Sequence, residues 1–274
     1  MTNVILAVLE QAETAGAVLA AARQLAGLAG AGRINALAIR LPPLDAIVSG
    51  EELQTRGQAA RLREREAQRT ASIAAALQAW RKAPEQDGLV TEWLDVEGHA
   101  DEVIRDHGSR ADCIVLSRPS AQETEAERQM VHAALFDTDR PVLMVPPEQP
   151  ATPFGRRVAI AWRDDPRTLK AVLAALRWLG RSARVDVLVG IGEPGAAPSL
   201  PAILAEHGID AAVHAVPIHG QGGFGADLLA KAHVLGSDLL VMGAFARHPL
   251  RSLILGGVTR VMLAQADLPV FMRH

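Results

Sequence analysis

Residues 243–260 read GAFARHPLRSLILGGVTR, and the interpretation of the whole chain begins from this stretch. It follows an apolar run, residues 238–242, that has the length and composition of a buried strand. Gly243 comes directly after that run, and the pair Gly256-Gly257 comes directly before a helical pattern. Glycine allows a backbone to approach an anion closely, and a helix N-terminus presents unpaired N–H groups. The stretch therefore predicts a phosphate-binding loop between a strand and a helix.

The amino-acid composition limits the classes of protein to which the chain can belong. The chain has 274 residues and a formal net charge of −3, which gives no electrostatic reason to expect nucleic acid or an anionic membrane as a partner. Hydrophobic residues make up 49% of the chain but aromatic residues only 3%, so an aliphatic core is expected. The single Cys113 fits a reducing compartment. Since neither a signal peptide nor a long apolar run is visible, we expect a soluble, cytoplasmic protein.

Short apolar runs alternate with helical patterns, which is typical of parallel βαβ units. In the N-terminal half the predicted strands cover residues 4–9, 34–39, 90–94, 113–117 and 142–145. In the C-terminal half they cover residues 158–162, 185–189, 212–216, 239–242 and 270–272. The predicted helices cover residues 14–28, 51–80, 100–109, 124–135, 166–179, 199–207, 225–235 and 257–264. The pattern predicts a doubly wound parallel sheet in each half.

The two halves repeat each other. Residues 111–116 match residues 237–242, and residues 140–144 match residues 268–272. A proline-rich stretch, residues 146–153, separates the halves and continues neither a helix nor a strand. These matches indicate an internal duplication. The predicted organisation is an N-terminal domain over residues 1–146, a linker over 147–155 and a C-terminal domain over 156–274.

Tandem five-stranded halves, each with an Asp-apolar strand and a Pro-Val-apolar-Met strand, resemble the universal stress protein family. Residues 243–260 resemble that family's nucleotide motif, G-x2-G-x9-G-[S/T]. The resemblance covers nearly the whole chain. It implies two tandem doubly wound domains, each with a five-stranded parallel sheet of Rossmann-like strand order 3-2-1-4-5.

The C-terminal half retains part of the nucleotide motif. Gly243 and Gly256 match it, Ala246 replaces its second glycine, and Gly257 replaces its hydroxyl residue. If the native backbone has a positive φ at this position, the methyl group of Ala246 lowers the stability of the fold by more than ~1 kcal/mol. The hydroxyl missing at Gly257 removes about 1 kcal/mol of binding.

Other residues of the loop are also candidate ligands. The hydroxyl of Thr259 and the backbone amides of Val258 and Thr259 are other hydrogen-bond donors. They would replace part of the binding that is lost with the missing hydroxyl. Arg247, with His248 and Arg251 nearby, lines the loop and attracts an anion. The alternative is that the glycine pair merely allows a tight strand-to-helix connection and that these three cations are ordinary solvated residues.

The family also places an Asp after the first strand, at the adenine and ribose end of the nucleotide. Here residues 161–166 read AWRDDP, with Arg163 at the position of that Asp. Asp164 is the candidate ligand one residue on. Asp165 directly precedes Pro166 and has two interpretations, an N-cap of the next helix and a nucleotide ligand.

The N-terminal half has lost the motif. Its corresponding loop, residues 117–124, contains no glycine. Glu123, Glu125 and Glu127 would repel a phosphate. We therefore expect no nucleotide in this half.

Other chemistry has little support in the sequence. The chain has nine histidines but no HxH, HExxH or Cys–His spacing, so no metal site is predicted. No G-x-S-x-G elbow and no Ser–His–Asp order occurs, and no catalytic residue is assigned.

The resemblance implies a universal stress protein that is regulatory and non-catalytic. It would act in the stress response and bind ATP or another adenine nucleotide, with Mg²⁺, in its C-terminal half. The fifth strands of the two halves, residues 141–145 and 269–272, would pair in an intrachain pseudo-dimer; a homodimer and protein clients are further expected partners.

Two alternatives stay open. One is an enzyme that hydrolyses ATP or transfers a nucleotidyl group at the same loop, with Asp164 or Asp165 as its acid. The other is an interaction module that binds no nucleotide.

Overall fold

The computed structural model describes residues 3–42, 56–82, 89–119, 124–147, 152–192, 198–218, 223–245 and 256–274. The chain divides into two compact units. The first unit comprises Met1–Ser117 together with Glu123–Thr138, and the second comprises Arg118–Gln122 together with Asp139–His274.

The first unit contains a parallel sheet with helices connecting its strands. Its strands are β1 (Asn3–Val8), β2 (Ala31–Arg40), β3 (Val90–Glu97) and β4 (Cys113–Ser117). Its helices are α1 (Ala12–Ala29), α2 (Arg56–Arg81), α3 (Ala100–Ser109) and α4 (Glu125–His132), the last followed by a π-helical turn (Ala133–Asp137). The strands lie in the order β3-β2-β1-β4. All three pairings are parallel.

The second unit contains a larger sheet. Its strands are β5 (Val142–Val145), β6 (Arg157–Trp162), β7 (Arg184–Ile191), β8 (Ala212–Pro217), β9 (Leu239–Gly243) and β10 (Val270–Arg273). Its helices are α5 (Pro166–Leu179), α6 (Ala202–Glu206), α7 (Phe224–Val234) and α8 (Gly257–Gln265). The strand order is β5-β10-β9-β6-β7-β8, and only the pairing of β5 with β10 is antiparallel.

The predicted strand order 3-2-1-4-5 is confirmed for the strands that each unit contains. In the second unit β8-β7-β6-β9-β10 is the 3-2-1-4-5 order, and in the first unit β3-β2-β1-β4 supplies its first four strands. The central strands β4 and β9 are buried along their whole length, as continuous apolar runs in a parallel sheet require. The fifth strand of the first repeat, β5, belongs to the second compact unit. The domain boundaries at residues 146 and 156 stay a prediction.

Helix α6 is shorter than the pattern predicts, because its flanking residues are incompatible with helix. The prediction extends over residues 199–207, whereas the helix covers Ala202–Glu206. Pro201 is its N-cap residue, and Gly208 follows it with a φ of 66°. A proline starts a helix more readily than it continues one, and a left-handed glycine ends one. Within the described residues, no helix is long and apolar enough to cross a membrane.

The strand order also places a crevice in the second unit. From β6 the chain continues through α5 to β7 on one side, whereas β9 lies on the other side of β6 and continues through α8 to β10. The direction of winding therefore reverses between β6 and β9. In doubly wound sheets a ligand crevice forms at the carboxyl ends of the strands at such a point.

Candidate functional site

A cavity of about 1390 Å³ lies at this reversal point, within the second unit. The ends of β6 and β9 and the start of α8 line one part of it, and β7, α6 and α7 line another. Its lining includes the predicted ligands Asp164, Gly243, Gly256, Gly257 and Val258–Thr259. Ala246 and Arg247, the two other predicted ligands, lie outside the described residues, as do His248 and Arg251.

Asp165 is the N-cap of α5. Its Oδ1 accepts hydrogen bonds from the N–H groups of Arg167 at 2.8 Å and Thr168 at 3.1 Å. Pro166 occupies the first turn, where its missing N–H costs nothing. The other oxygen, Oδ2, is buried and has no hydrogen-bond partner in the described structure; Arg163 Nε lies 3.6 Å from it. The geometry therefore supports the capping interpretation.

Gly243 is a glycine because β9 packs directly against the first turn of α5. A Cβ at this position would lie 2.8 Å from Thr168 N and 3.0 Å from Thr168 Oγ1, closer than real Cβ contacts. The residue that the motif assigns to a phosphate therefore also allows close packing of a strand and a helix. Both functions require the absence of a side chain.

Thr168, which the sequence analysis did not single out, is a buried residue beside the cavity. It is completely buried, it lines the cavity, and its hydroxyl has no hydrogen-bond partner among the described residues. A buried hydroxyl without a partner is costly, by about 1–3 kcal/mol. No sequence signal identifies it, since a threonine in the first turn of a helix is ordinary.

The start of α8 is held against the end of β9 by Phe245. The N–H of Gly256 donates to the Phe245 carbonyl at 2.7 Å, and the N–H of Phe245 donates to Thr259 Oγ1 at 3.1 Å. A Cβ at Gly256 would lie 3.0 Å from Phe245 Cβ, which accounts for the first glycine of the pair. Thr259 is fully buried, and its hydroxyl holds the Phe245 backbone at the start of α8.

The N-cap residue of α8 is Gly256, which has no side chain with which to cap the helix. The amides of Gly257, Val258 and Thr259 therefore lack the acceptor that a Ser, Thr, Asp or Asn cap supplies. No heavy atom of the described residues lies within 4 Å of the position that a Cβ would take at Gly257. Uncapped amides and the positive end of the helix dipole, at the edge of a cavity, form an arrangement suited to an anion.

The corresponding helix of the first unit, α4, satisfies its own amides. Thr124 Oγ1 accepts from the N–H of Glu127 at 3.2 Å, and the Glu127 carboxylate accepts from the N–H of Thr124 at 2.6 Å. This capping box occupies the donors that a phosphate would use. Glu125 adds a further negative charge to the same turn. The absence of a nucleotide from this half stays a prediction.

Two arginines lie over the aromatic ring at the edge of the cavity. The guanidinium carbons of Arg163 and Arg167 each lie 5.3 Å from the centroid of Phe245. This distance is within the range of a cation–π interaction. The Arg163 side chain is nevertheless 75% exposed, so its guanidinium is accessible to an anion in the cavity. In the sequence, Arg163 is noted only because it replaces the Asp of the family motif. Its contact with Phe245 was not predicted, because the two residues are far apart in the sequence.

A second polar cluster lies in the sheet of the same unit. The buried Asp186 on β7 accepts from Arg184 Nε at 2.7 Å and lies 2.6 Å from His214 Nε2 on β8. The hydrogen bond and the charge of Asp186 raise the pKa of the Arg184 guanidinium above its ordinary value. Both oxygens of this carboxylate have partners, since Arg184 Nη2 also donates to Oδ1. The cluster is therefore a satisfied structural ion pair. In the described part of the chain no group of three or more His, Cys, Asp or Glu side chains is placed to hold a metal ion.

The fold and the cavity define a doubly wound α/β protein with a candidate anion site at the reversal point of its second sheet. No model of a protein family and no curated protein matches the sequence.

Solved structures do match. A universal stress protein from Archaeoglobus fulgidus aligns over 99% of this chain and 96% of its own, with a TM-score of 0.67 and 15% identity. A provisionally named universal stress protein from Pseudomonas aeruginosa aligns over 99% and 93%, with a TM-score of 0.62 and 16% identity. A P. aeruginosa protein of unknown function aligns over 99% and 92%, also with a TM-score of 0.62 and 16% identity. The chain therefore has the universal stress protein fold, as the sequence predicts.

Proposed function

We propose that this chain is a cytoplasmic universal stress protein that binds an adenine nucleotide in the cavity of its second unit and takes part in the stress response without catalysing a reaction. The observation that carries this proposal is the uncapped start of α8, which opens on the cavity at Gly257. The fold supports the family, and the site supports the ligand class.

The residues present fit a nucleotide phosphate. The amides of Gly257, Val258 and Thr259 supply N–H donors, and the open space at Gly257 allows close approach. Arg163 supplies a positive charge at the edge of the cavity. Mg²⁺ prefers oxygen ligands and usually binds through phosphates and one or two carboxylates. Asp164, exposed on the cavity lining, is the carboxylate available to such an ion.

The same residues favour binding over hydrolysis. An enzyme would need a general base beside the phosphates as well as an acid that holds the metal. Asp165 Oδ1 is occupied by two backbone N–H groups of α5, so this carboxylate serves first as a cap. We therefore propose a nucleotide-dependent regulator that acts through protein clients.

The assembly that we propose is an intrachain pseudo-dimer of the two repeats through their fifth strands. Within the second unit β5 pairs antiparallel with β10, with Leu143 opposite Phe271. Pairing of this kind removes an exposed edge that would otherwise recruit another chain. Light scattering of the purified chain measures separately whether the expected homodimer also forms, because pairing of the fifth strands within the chain neither requires nor excludes it.

The nucleotide proposal is tested with two substitutions at Gly257. The full chain is purified without nucleotide, bound small molecules are released by denaturation and identified by mass spectrometry, and Mg-ATP binding is measured by calorimetry. Gly257→Ala keeps the amide and fits the open space, so ATP affinity should change little. Gly257→Asp places a carboxylate where the phosphate would lie, and ATP affinity should fall about tenfold or more. A negative charge in the first turn suits the helix dipole, so folding is preserved.

The outcomes separate the candidate functions. A protein that is purified empty, and whose melting temperature ignores millimolar Mg-ATP, would rule out nucleotide binding and leave the interaction module. Phosphate release from ATP that is lost in Gly257→Asp would show the enzyme instead.

A further inference from the structure

We propose that the first unit contains a binding site for a planar guanidinium group at the ends of β1 and β2, and that Arg69 of the same chain occupies it. The site consists of the backbone carbonyls of Glu10 and Ile39 and the carboxylate of Glu66. It is called the guanidinium site below. The proposal concerns the first unit alone and is independent of the nucleotide proposed for the second.

Arg69 on α2 donates hydrogen bonds to three acceptor groups. Its Nη1 donates to the Glu10 carbonyl at 2.7 Å, and its Nη2 donates to the Ile39 carbonyl. Nε and Nη2 lie side by side against the Glu66 carboxylate, at 3.3 Å from Oε1 and 2.9 Å from Oε2. A guanidinium is planar and presents its donors as a rigid fork, whereas an ammonium is a compact point charge. The acceptors are therefore arranged for a guanidinium.

The Ile39 carbonyl is available because β1 ends before it can pair with it. The carbonyl of Leu37 accepts from the N–H of Leu9 at 2.8 Å. Carbonyls two residues apart on a strand point to the same side, so the Ile39 carbonyl also points towards β1. The chain has left the sheet by then, because α1 begins at Ala12. A buried carbonyl without a donor costs free energy, and Arg69 supplies that donor.

The backbone also holds the Glu66 carboxylate in place. Its Oε2 accepts from the N–H of Leu41, just beyond β2, at 3.3 Å. Glu66 and Arg69 are about one turn apart on α2 and form an ion pair, with side chains 22% and 29% exposed. The site is thus partly accessible to solvent. We expect its acceptors to stay ordered, and to be reachable by a small cation, when the guanidinium of Arg69 is removed.

The same backbone bond occurs in both repeats and aligns their first strands. The N–H of Asp112 donates to the Val4 carbonyl in the first unit, and the N–H of Asp238 donates to the Arg157 carbonyl in the second. Asp112 and Asp238 are matching residues of the duplication. Val4 on β1 therefore corresponds to Arg157 on β6.

This alignment shows what lies at the corresponding place in the second unit. Together with the pairing of β1 with β2 and of β6 with β7, it makes Arg163 the counterpart of Glu10 and Gly190 the counterpart of Ile39. Arg163 and Gly190 both line the open cavity. Helix α6, which connects β7 to β8, contains no arginine. In the described structure the second unit thus leaves open the place that Arg69 fills in the first.

The test deletes the guanidinium and supplies it again as a small molecule. Arg69→Ala in the full chain should lower the melting temperature by about 3–10 °C, because charged hydrogen bonds are lost. Ethylguanidinium has the atoms that this substitution deletes. At tenfold excess over its dissociation constant it should raise the melting temperature of Arg69→Ala by about 3–6 °C. Calorimetry should show a single saturable site in Arg69→Ala and no binding to the wild type, whose site Arg69 fills.

Three controls define the site and its chemistry. Propylammonium carries the same charge without the planar fork, so it should not stabilise Arg69→Ala more than it stabilises the wild type. Arg65→Ala, at an exposed arginine one turn earlier on α2, should neither lose comparable stability nor bind ethylguanidinium. Adding Glu66→Gln to Arg69→Ala should weaken the binding of ethylguanidinium about tenfold, because a charged acceptor becomes neutral.

Each remaining outcome contradicts the proposal or supports it. Equal stabilisation of the wild type, Arg65→Ala and Arg69→Ala by ethylguanidinium overturns it, and so does an Arg69→Ala variant that is as stable as the wild type. Equal rescue by propylammonium overturns the guanidinium class. If Arg69→Ala does not fold, Arg69→Lys decides, since it keeps the charge and loses the fork. A lower melting temperature of Arg69→Lys then supports the proposal, and wild-type stability overturns it.

Discussion

Asp165 stabilises the turn from which the candidate site is built. Its Oδ1 accepts two backbone hydrogen bonds at the start of α5. Asp165→Ala removes both and should lower the free energy of unfolding by about 0.5–2 kcal/mol. Urea unfolding measures this loss. Asp164→Ala, at the exposed neighbouring carboxylate, is the matched control and should change stability by less than about 0.5 kcal/mol. Equal losses in the two variants would contradict the capping role.

Thr259 fixes the loop through its hydroxyl. Thr259→Val keeps the shape of the side chain but leaves the Phe245 N–H without its acceptor. We expect a loss of about 0.5–1.5 kcal/mol, because a partly buried hydrogen bond is removed. Thr259→Ser keeps the oxygen and should lose less of the stability, as measured by thermal unfolding. A serine variant less stable than the valine variant would show that the methyl group matters more than the hydrogen bond.

At the scale of elements, Asp139 connects the turn before β5 to β10 and α5. Its Oδ1 lies 3.4 Å from Lys170 Nζ and 3.5 Å from Arg273 Nη2. Burial raises the pKa of Asp139, but the charges of Arg273 and Lys170 outweigh it, and the pKa is lowered. Because the pKa of this carboxyl is lower in the folded state than in the unfolded state, its charge stabilises the fold at pH values above the unfolded-state pKa. This stabilisation is lost as the pH falls through the folded-state pKa.

A prediction about pH follows from this ion pair. Asp139→Asn should lower stability by less than about 1 kcal/mol at pH 7, because the carboxylate is mostly exposed. The difference from the wild type should disappear as the pH falls below about 4. Asn is a suitable replacement, since Asp139 has a φ of 51° and Asn tolerates the left-handed region. Melting temperatures at pH 7 and pH 2.5 measure the effect, and an undiminished difference at pH 2.5 would contradict it.

The elements themselves were largely predictable, whereas their exact ends were not. Runs such as β4 and β9 are mostly apolar and are buried throughout, so composition alone identifies them as buried strands. Helix α6 was predicted too long because periodicity does not register Pro201 at its start and Gly208 after its end. Gly243 lines the cavity, its binding of a phosphate stays a prediction, and the partial motif gave no indication of its packing against α5.

At the scale of the whole molecule, β5 belongs with the second unit although the sequence repeat assigns it to the first. A fragment over residues 139–274 keeps the antiparallel partner of β10, and a fragment over residues 152–274 loses it. The shorter fragment should aggregate more, because the edge of β10 is exposed. Size-exclusion chromatography with light scattering compares the two. Equal proportions of monomer in both fragments would show that β5 is dispensable for the second unit.

The sequence by itself determined the alternation of strands and helices, the duplication, the fold and the glycine pair at the start of α8. Each of these depends on a local pattern or on a comparison of one segment with another. Only the tertiary structure decided that Thr168 lies against Gly243, that Arg163 and Arg167 lie over Phe245, and that one cavity extends from the start of α8 to Ile218. The physical reason is that these contacts join different elements. Their distances are set by how the helices pack on the sheet, which no local pattern of residues specifies.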